Sequence, residues 1–149
     1  MTATTAVAKR KKDLIVEIPG LVPDTVKIAL REDLTISEDL GREVDQTAAQ
    51  FGYYAVLAEK AEARFQMTKL AFDLWRAKTE DVISAEYGPF KTVKELDRKV
   101  MQLAKWRSFK TTLIEFEEHA RILKQVAKAF EIKVNLVQTK NANRRKELA

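Results

Sequence analysis

Between Trp106 and Val137 apolar residues fall at alternating steps of three and four: Trp106, Phe109, Leu113, Phe116, Ala120, Leu123, Ala127, Phe130, Val134 and Val137. The residues between them are largely Lys, Arg, Glu, Gln and Thr, and no Gly or Pro interrupts the run. An α-helix turns once per about 3.6 residues, so this spacing predicts one helix with a narrow apolar seam of seven-residue repeat, the pattern of a coiled-coil partner. A second seam sets in at Val44. Val44, Phe51, Ala58, Phe65, Phe72 and Thr79 recur every seven residues, and Thr47, Tyr54, Ala61, Thr68, Trp75 and Val82 follow each by three. The implied helix is roughly 40 residues or about 60 Å long, and small Ala alternating with Phe lets a facing helix approach closely.

The breaks between these patterns set the architecture. Ser37 is the expected N-cap of the first long helix, with Glu38 and Asp39 in the first turn and Gly41 delaying the regular helix by a turn. Tyr87-Gly88-Pro89-Phe90 ends it, with Gly88 suited to a left-handed C-cap and Pro89 unable to continue. Thr92 and Glu95 form a capping box, so a new helix begins near Val93. Its apolar residues Leu96, Val100 and Leu103 sit out of register with Trp106 onward, which predicts a kink or short break around Leu103–Ser108. Asn141-Ala142-Asn143 is expected to fray the last helix.

The N-terminal third is less regular. Residues 1–12 offer nothing to bury and are expected to be a basic, disordered tail. Leu14–Ile18 is short and β-prone, and Pro19-Gly20 stops it. Asp24 can cap a short helix from Thr25 to about Arg31, and Leu34 and Ile36 form a second apolar piece. Two small strands could pair here, or the segment could wrap the outside of the helices.

The expected fold class is therefore all-α: a long antiparallel helical hairpin with coiled-coil-like seams and a small irregular or short-strand N-terminal segment. The chain divides into the tail (residues 1–12), the irregular segment (13–36) and a helical domain (37–149). A bare hairpin cannot cover two aromatic seams, so a homo-oligomer is expected. Phe51, Tyr54, Phe65, Phe72, Trp75, Leu113, Phe116, Leu123, Phe130 and Val134 would then lie between copies.

Composition narrows the chemistry. Cysteine is absent, which excludes disulfides and thiolate metal sites, and Gly20, Gly41, Gly52 and Gly88 are isolated, so no phosphate-binding loop exists. His119 is the sole histidine, set among Glu115, Glu117 and Glu118, and reads as an outward-facing residue. With neither a nucleophile–His–acid pattern nor a second imidazole, no enzyme, metal or cofactor is expected. No apolar run spans a bilayer and no signal-peptide core follows the N-terminal cations, so no membrane partner and an intracellular, cytoplasmic location are expected.

The net charge of +5 is unevenly spread. Lys9, Arg10, Lys11 and Lys12 open the chain, residues 13–91 hold nine basic against fifteen acidic side chains, and residues 92–149 hold fourteen against seven. Such asymmetry suits head-to-tail self-association or a polyanion partner. Arg76 and Lys78 follow Trp75, and Lys105, Arg107 and Lys110 interleave with Trp106 and Phe109. Single-stranded nucleic acid is gripped by such combinations of cations and aromatic faces, although the spacing also places these aromatics in the seams.

Leu74-Trp75-Arg76-Ala77-Lys78, Lys91-Thr92-Val93 after the loop, and Ala129-Phe130-Glu131-Ile132-Lys133 give residues 44–149 an order and pattern that resembles the phage UvsY-like recombination mediators. The resemblance implies a homo-oligomeric ring in a phage-infected bacterial host that binds single-stranded DNA. Its members help a RecA-like recombinase replace a single-strand binding protein on that DNA. Arg76 and Lys78 match the DNA-contacting pair. Lys105, Arg107, Lys110, Lys9, Arg10, Lys11 and Lys12 join them on electrostatic grounds. The competing expectation is a structural coiled-coil assembly or scaffold protein that makes protein contacts alone.

Overall fold

A computed structural model of the chain describes residues 15–20, 26–89 and 92–149. The Lys9, Arg10, Lys11 and Lys12 cluster, Leu14, the Asp24 cap and Phe90-Lys91 lie outside the described residues. In chain order the elements are β1 (Ile15–Ile18), β2 (Val26–Ala29), α1 (Leu30–Leu34), α2 (Leu40–Tyr87), α3 (Val93–Met101) and α4 (Ala104–Leu148). The molecule is mostly helical, and α2 and α4 pack lengthwise against each other as an antiparallel pair.

The two seams meet within the one chain. On α4, Leu113, Ala120, Leu123, Ala127, Phe130 and Val137 are buried, and Trp106, Phe109, Phe116 and Val134 are half-buried. Tyr54 of α2 stacks on Phe130 with ring centroids 4.8 Å apart. Phe72 meets Phe109 edge-on at 5.7 Å. Phe51, Tyr54, Phe65, Phe72 and Trp75, expected between copies, are likewise buried or half-buried on the same stripe of α2. Their apolar surface is used inside the hairpin.

The stripe also shifts along α2 in a way that a strict heptad does not. Val82 is 62% exposed and Ile83 takes its place in the core. A straight helix drifts about 20° per heptad, so the five heptads from Thr47 to Val82 accumulate about one residue's turn. The seam passes to the next residue along α2.

A third track on each helix widens the contact. Glu43, Leu57, His119, Val126 and Lys133 are all buried beside the seams. They face the N-terminal segment, where β1 and β2 form a two-stranded antiparallel sheet pairing Val16 with Ile28 and Glu17 with Lys27. Alternation sends Ile18 and Ile28 inward, where both are fully buried in one core with Leu57, Ala61, Leu123, Val126 and Phe130. The opposite face carries the exposed Lys27–Glu17 ion pair. Two strands do pair here, but the second is Val26–Ala29 rather than the piece at Leu34 and Ile36, which corrects the short helix from Thr25: residues 26–29 are strand, and α1 starts only at Leu30.

Two polar clasps hold this layer down. Lys133 Nζ lies 3.3 Å from Glu43 Oε2 and donates to the Asp33 carbonyl at 2.8 Å, with the lysine and glutamate side chains 6% and 11% exposed. Arg64 donates to the Pro19 carbonyl at 2.7 Å and to His119 Nδ1 at 3.0 Å, and its guanidinium lies 4.0 Å over the Phe116 ring. Arginine can only donate, so Nδ1 accepts and the imidazole proton sits on Nε2. His119 is therefore an inward residue, correcting the outward placement that its glutamate neighbours suggested. Gly20 completes the clasp. It has φ +78°, and a Cβ there would come within 3.1 Å of the Arg64 guanidinium.

Other boundaries differ in detail. Asp39, rather than Ser37, caps α2, its carboxylate accepting from the Arg42 backbone N–H at 3.2 Å. Gly88 has positive φ as expected, but at φ 80°, ψ −176° it is extended rather than a left-handed helical cap. The α3 start matches, with Thr92 Oγ1 accepting from the Glu95 N–H at 3.3 Å. α4 continues through Asn141–Asn143 to Leu148, its last turn carrying Arg145 and Lys146, cations that suit the negative end of the helix dipole.

Burial pushes the Glu43 carboxyl up, but hydrogen bonds from Lys133 and Ser37 and the Lys133 charge outweigh it and hold the group below its ordinary 4.5. Its stabilisation is full above that value and is lost as pH falls through the folded-state pKa. Lys133→Met strands the carboxylate and is expected to cost about 3–5 kcal/mol in urea unfolding at pH 7. Glu43→Leu combined with Lys133→Met recovers most of that loss, and Glu43→Gln flattens the decline in stability below pH 4.5.

Candidate nucleic-acid interface

At Leu103 the backbone is extended (φ −73°, ψ 135°), which separates α3 from α4. The break falls at Gln102-Leu103, at the leading edge of the expected region, with Trp106 already inside α4. Most helices begin with a Ser, Thr, Asp or Asn cap and an acidic first turn. α4 has neither. Leu103 supplies no side-chain cap and no acidic residue lies in the first turn. Lys105, Arg107 and Lys110 crowd this positive helix end instead, against the helix dipole.

Aromatic rings surround these cations. Phe72, Trp75 and Phe109 form a cluster with centroids 5.5 to 6.0 Å apart. Lys110 Nζ lies 4.6 Å from the Phe72 ring centre and 5.6 Å from that of Trp106, and Lys105 Nζ lies 5.9 Å from Phe109. Trp75, Trp106 and Phe109 are half-buried, so each ring has one part in the core and another at the surface. Arg107 is exposed, and its guanidinium has no hydrogen bond or ion pair among the described residues. Beside the rings a cleft of about 110 Å³ is lined by Arg76, Asp97, Val100, Met101, Trp106 and Lys110.

The matched pair Arg76 and Lys78 is not brought together. Residues two apart on a helix point about 200° from one another. Arg76 turns toward α3, where Nη2 lies 2.7 Å from Asp97 and Nε 3.0 Å from Glu80. Asp97 first, and then Glu80, push its pKa up. Its charge is already matched by two carboxylates, and it joins α2 to α3. Lys78 is exposed on the far side of α2. Asp97 was not identifiable as the partner from sequence, being 21 residues away, whereas Glu80 one helical turn on from Arg76 was a readable signal.

Elsewhere, burial pushes the Arg64 pKa down, partly offset by the Glu115 charge. Among the described residues no group of three or more His, Cys, Asp or Glu side chains is arranged to hold a metal ion. No described helix is long and apolar enough to cross a membrane. No protein-family model, curated protein or solved structure matches the chain.

Arg76→Ala is expected to loosen α3 rather than unfold the protein. The pair is 42% exposed on the arginine side, so the loss of global stability is about 1 kcal/mol or less. Hydrogen exchange should accelerate at amides of Val93–Met101 while those around Leu123 and Phe130 keep their protection.

Proposed function

We propose that the chain is a non-enzymatic single-stranded DNA-binding protein that acts as a homo-oligomeric recombination mediator, assisting a RecA-like recombinase to displace a single-strand binding protein. The carrying observation is the start of α4: an uncapped helix N-terminus with Lys105, Arg107 and Lys110 on it and Trp75, Trp106 and Phe109 beside it. Cations placed against a helix dipole raise the local positive potential, and a phosphate chain relieves it. Partly exposed rings next to that potential provide stacking faces for unpaired bases. The mediator role itself rests on the resemblance of residues 44–149 to the UvsY-like family.

Within this reading the contacts shift along the chain. Lys105, Arg107 and Lys110 hold phosphates, and Arg76 positions α3 beside them. Lys9, Arg10, Lys11 and Lys12 would add a second, sequence-independent attraction. The work done is physical: DNA held at repeated weak sites across an oligomer is bound by their combined effective concentration.

Fluorescence anisotropy with a labelled single-stranded oligonucleotide, alongside a duplex of equal length, tests the proposal. The expected result is salt-dependent binding that favours the single strand. Replacing Lys105, Arg107 and Lys110 together by Ala should lower the log–log salt slope by about 2, at about 0.7 per lost phosphate contact. An unchanged slope and affinity in that variant would remove this surface from DNA binding.

A further inference from the structure

α2 carries a second apolar seam, on the side turned away from α4. Ala49, Val56, Ala63, Leu70 and Ala77 recur every seven residues, and Tyr53, Lys60, Met67 and Leu74 fall four after each of the first four. All nine are exposed, with Met67 at 72% and Leu70 at 60%. Lys60 is the sole polar member. Alternating steps of three and four sustained for about four heptads, or about 42 Å, define a helix-pairing stripe rather than scattered surface residues. A stripe this long and apolar on an exposed helix marks an interaction surface.

We propose that this stripe pairs with the same stripe of a second copy, with the two α2 helices parallel and in register. Charge fixes the orientation. Glu59 and Asp73 flank the stripe on one edge, and Lys78 flanks it on the other. In an antiparallel pair the acidic edges would face each other, which is repulsive. In a parallel pair Asp73 of each copy lies across from Lys78 of the other, and Lys60 within the stripe lies next to Glu59 of the other. A single lysine at a core position of a parallel pair is a known device for fixing register at some cost in stability. A seven-residue stripe drifts about 20° per heptad around an ideal α-helix, as a partner crossing at about +20° requires. The residues used are distinct from the inward seam, so pairing needs no rearrangement of the hairpin.

The chain has no cysteine, so single introduced thiols report the arrangement directly. Ala63→Cys, Leu70→Cys and Ala77→Cys, each oxidised without nucleic acid, should all give disulfide-linked dimers, and faster than Thr111→Cys on the exposed side of α4. Cross-linking at one seam position alone indicates an antiparallel pair, and none faster than the α4 control indicates another surface; either overturns the proposal. Light scattering supplies a second reading: the wild type should exceed the 17.0 kDa of one chain, and Met67→Lys with Leu74→Lys should return it to that mass with unchanged helical circular dichroism. A wild type that is already monomeric also overturns it. DNA is absent throughout, so failure here leaves single-stranded DNA binding itself untouched, while a monomeric wild type would also remove the homo-oligomer from the proposed function.

Discussion

The structure depends on covering a groove that two helices cannot close by themselves. α2 and α4 meet along their seams, but the third track leaves Leu57 and Val126 on the shoulder of that contact. Ile18 and Ile28 fill the groove, each fully buried and each contributing about 1.5–3 kcal/mol of transfer free energy. Two four-residue strands cannot sustain a sheet in water unaided. Their pairing persists because it carries these two isoleucines into a prepared surface, and the surface stays dry because they are there. The clasps set the register of this docking. Lys133 reaches back 100 residues to the Asp33 carbonyl and Arg64 reaches 45 to Pro19, so each makes these bonds in one arrangement of the layer, although Arg64 Nε is buried there without a hydrogen bond. Burying such charges contributes little net stability, whereas leaving either unpaired is costly. The apolar core thus favours docking in general, and the clasps favour this docking in particular.

That division explains what was legible beforehand. The long helices, the turn at Gly88-Pro89 and the Thr92 cap follow from local periodicity and capping chemistry. The third track did not show, because Glu43, Arg64, His119 and Lys133 carry charge or polarity that a pattern reading assigns to solvent. Their partners lie on other elements, and partnership is what makes their burial tolerable. His119 is the sharpest case: three neighbouring glutamates suggested an outer face, yet Arg64 and Phe116 take it inward. β2 was missed for a related reason. Asp24 and Thr25 read as a helix start, while the competing interaction, the Val26–Ala29 pairing with Ile15–Ile18, is non-local.

The candidate interface was readable in kind and not in detail. Basic residues beside Trp and Phe are visible in the sequence, but which of them are free is a property of the fold. Arg76 is held by an aspartate from the helix beyond the turn, and Lys110 lies across two rings. Breaking the chain at Leu103 matters most, because it converts the interior of one long helix into a second N-terminus. Lys105 and Arg107, unremarkable in mid-helix, then fall in a first turn where the dipole is positive, with Lys110 one turn further on.

The two faces of α2 tie these features together. Its inner face builds the hairpin and its outer face repeats the same spacing, exposed among the described residues, so the helix is apolar on opposite sides. Orientation then decides what pairing does to the charged end. In an antiparallel pair centred on the outer seam the two Trp75 positions would lie about 36 Å apart along the axis, pointing at separate stretches of any ligand. In a parallel pair both α4 N-termini would lie at the same end of the assembly, on opposite outer flanks of the paired α2 helices, each with its own three cations. Three cations bind a phosphate chain weakly at physiological salt, and two such groups on one strand bind with the effective concentration that their proximity supplies. The charges that select the parallel arrangement, Asp73 with Lys78 and Glu59 with Lys60, lie along the shaft of α2 and leave Lys105, Arg107 and Lys110 uncommitted. On the two proposals, self-association and nucleic-acid binding would draw on separate residues of one hairpin, and the first would increase the avidity of the second.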